Sequence, residues 1–291
     1  MAITHDALQT KILAQYAAEN AALGDEGTLA LLDKGRRWDL APTLAAGGIV
    51  VFPHTSVADC GYQVAAAVHA ALDSGADRVV VVSVLHAFTL EMEAARVAVA
   101  NGADPRSFRH WGIQGPGLTR GEEWRSDHAL MGFRHFWAAE TKRRGIKGPQ
   151  VIERYPYLAG GKPWELPGID ELAALAEQAV IVSTADVFHH GIGYGTPPEE
   201  SHWPDAEGLA YAEACIEEGI ELLALGDYWG YNQHCVRVKS DARDAGQVIR
   251  CLRGPMNGAI LDLGYTDASA LYDASPPTWV AGALVEWSPT M

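Results

Sequence analysis

Four histidines follow closely on short runs of β-branched residues. Gly-Gly-Ile-Val-Val-Phe-Pro leads to His54, Arg-Val-Val-Val-Val-Ser-Val-Leu to His86, and Val-Ile-Val-Ser-Thr-Ala-Asp to the pair His189 and His190. Neutral imidazole is the commonest side-chain ligand of catalytic transition metals and the usual acid or base near neutral pH. A lone histidine at a strand end more often caps backbone groups. Equivalent placements on consecutive strands turn the balance towards ligands. Asp186 precedes His189 by three residues, and a carboxylate there either fixes an imidazole tautomer or caps a turn. A ferrous site for oxygen chemistry takes two histidines and one carboxylate on one face. Lys239-Ser240-Asp241-Ala242-Arg243-Asp244 offers Asp241 and Asp244, both just before an expected helix, where aspartates also serve as caps.

These residues need a scaffold. Short Val- and Ile-rich runs separated by helical stretches read as buried parallel strands, and ligands of open α/β sheets bind beyond the carboxyl ends of the strands. The expected fold is therefore α/β, with a mostly parallel central sheet flanked by helices and a metal-capable crevice at the C-terminal strand ends. One domain over residues 1–291 accommodates it. Strands are expected at Ile49–Phe52, Arg78–Val84 and Val180–Ser183, with an edge-like strand at Trp279–Glu286. Helices are expected from Thr4 to Leu23 with Gly24 as the stop, from Gly61 to Ser74, from Asp170 (as its cap) to Gln178, from Asp205 to Leu225 and from Ala245 to Leu252. Residues 1–45 then form a helical extension. Residues 101–168 break the pattern with tryptophans, glycines and prolines, and read as an irregular insertion over the crevice. Within it, Ser126 or Asp127 is placed to cap a helix carrying His128, Met131 and His135. The tryptophans suit packing or an aromatic pocket wall.

Composition narrows the class. With 48% hydrophobic and 20% charged residues the chain has ample core and is not disordered. A formal charge of −15 argues against a nucleic-acid groove or a basic membrane patch. The four cysteines form no Cys-x-x-Cys pair, so neither a disulfide framework nor a structural zinc site is expected. No signal peptide is evident, and no apolar run reaches the roughly 20 residues that span a bilayer. The expectation is a cytoplasmic protein acting on a small molecule. The sequence leaves a homo-oligomer open.

Pro53-His54 with Cys60-Gly61 resembles the first motif of the Memo-like proteins, which share a superfamily with the class III extradiol (LigB-type) dioxygenases. Ser183-Thr184-Ala185-Asp186-Val187-Phe188-His189-His190-Gly191 is similar to that family's Ser-Ser-Asp-Phe-Cys-His-Trp-Gly, and Val280-Ala281-Gly282-Ala283-Leu284 to its terminal Ala-Ala-Gly-Ala-Leu strand. The resemblance runs from about residue 47 to the C-terminus. It implies Fe(II) held by His54, His86 and Asp241, with Asp244 or Cys235 as rivals for the third place and zinc, manganese or copper as alternative metals. It further implies ring cleavage of a catechol- or aminophenol-like aromatic with dioxygen, His189 as general base oriented by Asp186, His190 as its rival, and His128 as a crevice residue. A metallohydrolase and a non-catalytic redox protein are the other classes weighed.

Overall fold

The β-branched runs do become strands, and they are buried on both faces. The computed structural model describes residues 5–290. In chain order its elements begin with α1 (His5–Gly35), α2 (Ala41–Ala45), β1 (Ile49–Phe52), α3 (Val57–Asp73), β2 (Arg78–Val82) and α4 (Leu90–Ala100). Next come β3 (Gly112–Gln114), α5 (Met131–Arg144), β4 (Gln150–Tyr157), α6 (Ile169–Ala176), β5 (Val180–Thr184) and β6 (Phe188–Gly191). The last are α7 (Ala206–Leu225), α8 (Tyr228–Arg237), α9 (Arg243–Arg253), β7 (Met256–Asp267), α10 (Ser269–Tyr272) and β8 (Thr278–Pro289).

Side chains alternate across a strand, and here each parity feeds a different core. Ile49, Val51, Val80, Val82 and Ile181 pack with Leu172, Ile216 and Val248 of α6, α7 and α9. Val50, Phe52, Val79, Val81 and Val182 pack with Leu32, Val64, Met92 and Phe136 of α1, α3, α4 and α5. The result is three layers, helices on both sides of one sheet. Each such fully buried aliphatic side chain contributes about 1.5–3 kcal/mol.

The sheet is mixed, not mostly parallel. Its order is β3-β4-β2-β5-β1-β8-β6, with β7 also paired to β8. Pairing is parallel only from β4 through β2 and β5 to β1; β3, β6, β7 and β8 all join antiparallel. The expected edge strand Trp279–Glu286 lies inside β8, which pairs with β1, β6 and β7 and so is no edge. Its Val-Ala-Gly-Ala-Leu-Val run is buried throughout, as a strand covered on both sides must be.

Three further expectations are corrected. Gly24 does not stop the first helix; it kinks it (φ 57°, ψ −171°), and α1 continues to Gly35. Thr4, expected to open that helix, lies outside the described residues. Asp170 sits in the first turn of α6, whose N-cap is Gly168. Residues 101–168 are not irregular: they supply α5 and strands β3 and β4, with Tyr155 and Tyr157 fully buried. The polar residues of β4 (Gln150, Glu153, Arg154) hide it from an apolar-run reading.

One charge cluster holds the helical layer next to the crevice together. Glu140 on α5 is fully buried, and its carboxylate lies 2.7 Å from Arg36 and Arg144 and 2.6 Å from Arg143. Arg144 also pairs with Asp73 at the end of α3. Replacing Glu140 by Gln leaves partly exposed guanidinium groups without their counter-charge. Denaturant titration of Glu140→Gln should show a loss of about 2–3 kcal/mol, below the figure for a fully buried pair because the arginines reach solvent. A change under about 0.5 kcal/mol would mean the cluster is ornamental to folding.

Candidate metal centre

The three parallel strands β1, β2 and β5 end side by side, and each delivers polar residues into one cavity of about 420 Å³. His54 lies just past β1, His86 just past β2, Asp186 just past β5, and Asp241 in the link from α8 to α9. That link turns sharply: Lys239 takes φ +56°, a conformation that costs a non-glycine residue roughly 1 kcal/mol and commonly marks functional segments.

Two carboxylates tie these ends together. Asp186 Oδ1 accepts the backbone N–H groups of His54 (2.9 Å) and Thr55 (3.2 Å). Asp241 Oδ1 accepts the N–H of Asp186 (2.8 Å), while the Asp241 N–H donates back to the Asp186 carbonyl (3.2 Å). Asp186 therefore positions the His54 backbone. It does not hydrogen-bond the His189 ring, whose Nδ1 is buried without a partner.

The imidazoles are aimed by their rear nitrogens. Thr184 Oγ1 donates to the Phe52 carbonyl (3.0 Å), so it can only accept from Nδ1–H of His54, 3.2 Å away. The neutral His54 ring then carries its lone pair on Nε2. Asp127 does the same for His86: its carboxylate accepts the ring Nδ1–H (3.1 Å) and the backbone N–H of His86 (2.8 Å), and is itself held by the Ala129 N–H (2.9 Å). Carboxylate–histidine pairs of this kind orient metal ligands and raise their basicity. Asp127 is therefore no helix cap; α5 starts later, at Met131, with Leu130 as N-cap. His128 precedes the helix, stacked on His86 with ring centroids 4.2 Å apart.

Asp241 Oδ2 lies 3.0 Å from Nε2 of His54 and 3.5 Å from Nε2 of His86, so its neighbours are the two imidazoles. A buried carboxylate oxygen needs a counter-charge. Protonated imidazoles can supply it, and so can a divalent cation taking the place of their protons, so the donor chemistry fits a metal. Donor atoms of His54, Asp186 and Asp241 lie within 4.8 Å of one another, as do those of His54, His86 and His128.

The rivals for the third ligand are elsewhere. Asp244 spends both oxygens on the N–H groups of Leu158 and Ala159, anchoring the chain after β4. Cys235 is buried and lines a small apolar cavity and the outer cavity beside the crevice, not the crevice itself. His190 is also excluded. It and His189 are neighbours on β6, so they face opposite sides: His189 enters the crevice, whereas His190 accepts the His202 N–H (2.9 Å) beside Tyr211. Gly191 ends β6 with φ +102°, where any Cβ would meet the Pro277 carbonyl at 2.0 Å.

Sequence reasoning missed the walls. The crevice is covered by Leu8, Ile12 and Tyr16 of α1 and by Leu271 and Tyr272 around α10, while residues 101–168 contribute only His128. None of the tryptophans lines it; its aromatic walls are Tyr16, Phe88, Tyr194 and Tyr272. The signal for α1 is the placement of Leu8, Ile12 and Tyr16 at helical spacing. Asp127 and Thr184 carry none beyond adjacency to motif residues. Among the described residues, no helix is long and apolar enough to cross a membrane. No protein-family model matches the chain, and no curated protein matches it.

Electrostatics divide the imidazoles into two kinds. Burial disfavours charge on His86, but Asp127 and Asp241 outweigh it and push its pKa up to about 10; Asp186 and Asp241 raise His54 in the same way. Burial lowers the pKa of His189 and, helped by His86, of His128, so both are neutral. Without metal, His86 holds a proton at pH 7 and His54 is biased towards one, and a metal must displace what they hold. Affinity for a divalent ion should therefore climb with pH until about 10. Calorimetry at pH 7 in buffers of different ionisation enthalpy should register release of roughly one to two protons per metal bound. Zero release would mean that both rings are already neutral in the metal-free protein. Asp127→Asn should weaken metal binding about 10–100-fold in a chelator competition, with the fold intact.

Proposed function

We propose that the protein is a non-haem Fe(II) dioxygenase that cleaves the ring of a small catechol- or aminophenol-like aromatic. The observation that carries this reading is the placement of Asp241 Oδ2 3.0 Å from His54 Nε2 and 3.5 Å from His86 Nε2 in a tyrosine-walled cavity. Two imidazoles and one carboxylate are the donors used by ferrous oxygenases, which keep positions free for substrate and oxygen. Ferrous iron, when bound, supplies the electron transfer that dioxygen chemistry on an aromatic needs.

The remaining work belongs to the chain. Tyr16, Tyr194 and Tyr272 offer flat walls to a ring. Burial raises their pKa values, so their phenols stay protonated and act as hydrogen-bond donors. His189 packs edge-on against Tyr194 with ring centroids 4.8 Å apart. Neutral, and lining the cavity, it can take a phenolic proton from a diol entering there. His128 is neutral too, and its ring lines the cavity beside a bound substrate. Roof residues Leu8 and Ile12 keep bulk water off this chemistry.

His128 also favours a second reading. With His54 and His86 it forms a three-imidazole group suited to zinc, as in hydrolytic sites that activate a water for attack on an amide or ester. Oxygen separates the two.

The deciding experiment is oxygen uptake by protein reconstituted anaerobically with Fe(II) and challenged with catechols and aminophenols. Iron-dependent uptake on one substrate is expected. His54→Ala, His86→Ala and Asp241→Ala should each abolish iron binding and turnover. His189→Ala should keep its iron and lose about 10²–10⁴-fold in kcat. Silence on every aromatic at full ferrous occupancy, with an amide or ester hydrolysed under strict anaerobiosis, would hand the site to the hydrolase.

A further inference from the structure

A small cavity of about 40 Å³ lies behind the metal-capable carboxylates, in the core on the α7, α8 and α9 side of the sheet. Cavity and crevice share a wall. Asp186 lines the crevice, while its neighbours Ala185 and Val187 line the cavity. Asp241 likewise lines the crevice and Ala242 the cavity, and Ser240 belongs to both. The partition is therefore the backbone of these two segments, held shut by the paired hydrogen bonds between Asp186 and Asp241.

The cavity is apolar and enclosed. Val51, Ile216, Leu223, Ile249 and Val285 supply much of its wall, and apart from Val187 and Ile220 every residue lining it is buried. The few polar groups there are engaged. Ser183 Oγ donates to the Val82 carbonyl (2.8 Å), and Ser240 Oγ accepts the Ala242 N–H (3.2 Å). His234 Nδ1 meets the Arg237 guanidinium at 3.0 Å, and the side chains of Tyr231 and Cys235 hydrogen-bond each other. A buried water needs several polar partners, so this space suits an apolar guest instead. Protein cores are close-packed and hold few voids larger than a water. Here one sits a single backbone's thickness from the candidate metal ligands.

We propose that this cavity holds dioxygen behind the metal centre and releases it to the crevice past Ser240. Dioxygen is small and apolar, so leaving water for such a space is favourable, as it is for xenon in dry protein cavities. An aromatic substrate is too large for it and is confined to the 420 Å³ crevice. The inference rests on the oxygenase reading.

The test is methyl NMR of the iron-free full chain under dissolved dioxygen, whose unpaired electrons speed the relaxation of nearby nuclei. The methyls of Ile216, Leu223, Ile249 and Val285 should relax severalfold faster than those of Val50, Val79 and Val182 in the opposite core, and xenon should cancel the difference. Ile216→Phe and Ile249→Phe fill the space from α7 and α9 and should each abolish the effect. In the iron-loaded protein they should raise the KM for dioxygen about threefold or more, with the KM for the aromatic unchanged. Thermal unfolding of each variant is followed in parallel; should both fail to fold, the relaxation contrast and its cancellation by xenon decide. Equal relaxation in the two cores, or folded variants that lose the effect yet keep the original KM for dioxygen, would overturn the proposal. Oxygen uptake without the relaxation contrast would remove the cavity's role and spare the oxygenase. The contrast without uptake on any aromatic would keep the gas site and remove the oxygenase.

Discussion

The reciprocal bond between Asp186 and Asp241 is the constraint on which the crevice depends. One carboxylate oxygen of Asp241 takes the Asp186 N–H, and the Asp241 N–H returns to the Asp186 carbonyl. Asp186 passes the constraint on by taking two N–H groups from the chain after β1. Three segments far apart in sequence are thus locked with their backbone donors satisfied. The remaining oxygen of Asp241 is left facing imidazole nitrogens. Strand ends are mobile unless tied, and a metal site tolerates little looseness. Here the residues that tie the ends are also those that supply charge.

Polarity is graded outward from that knot. His54 and His86 are backed by Thr184 and Asp127, both largely or wholly buried, which face their rings in one direction. His189 and His128 have no such backing, and burial keeps them uncharged. The same residue type is thereby held either basic or neutral by what lies behind it. Beyond these lie phenols that keep their protons.

How much of this is legible in the sequence follows from period and burial. The Val/Ile runs of β1, β2 and β5 announce themselves because strands covered on both faces are apolar at every position. Those three strands place His54, His86 and Asp186, so the floor of the site is readable. The mixed character of the sheet is not, since β4 and β7 carry polar residues and β6 is mostly histidine and glycine. Reading β6 as a loop lets His189 and His190 compete for one role, which the pleat of a strand forbids. Asp127 is legible only as a cap, because its true partner is brought to it by tertiary structure. The packing of α1 across the crevice leaves only the helical spacing of Leu8, Ile12 and Tyr16, which does not say what that face covers.

That packing sets the order in which the molecule can be finished. The cavity takes Leu8 and Tyr16 from the first helix and Val280 from the last strand, with the metal-capable residues drawn from between. Contacts so distant along the chain form late and slowly, and β8 cannot pair with β1 until it has been synthesised. Before β8 docks the histidines are scattered; afterwards they share one pocket under a kinked helix. A metal, if one binds, would find its ligands assembled only once β8 has docked and α1 lies over them.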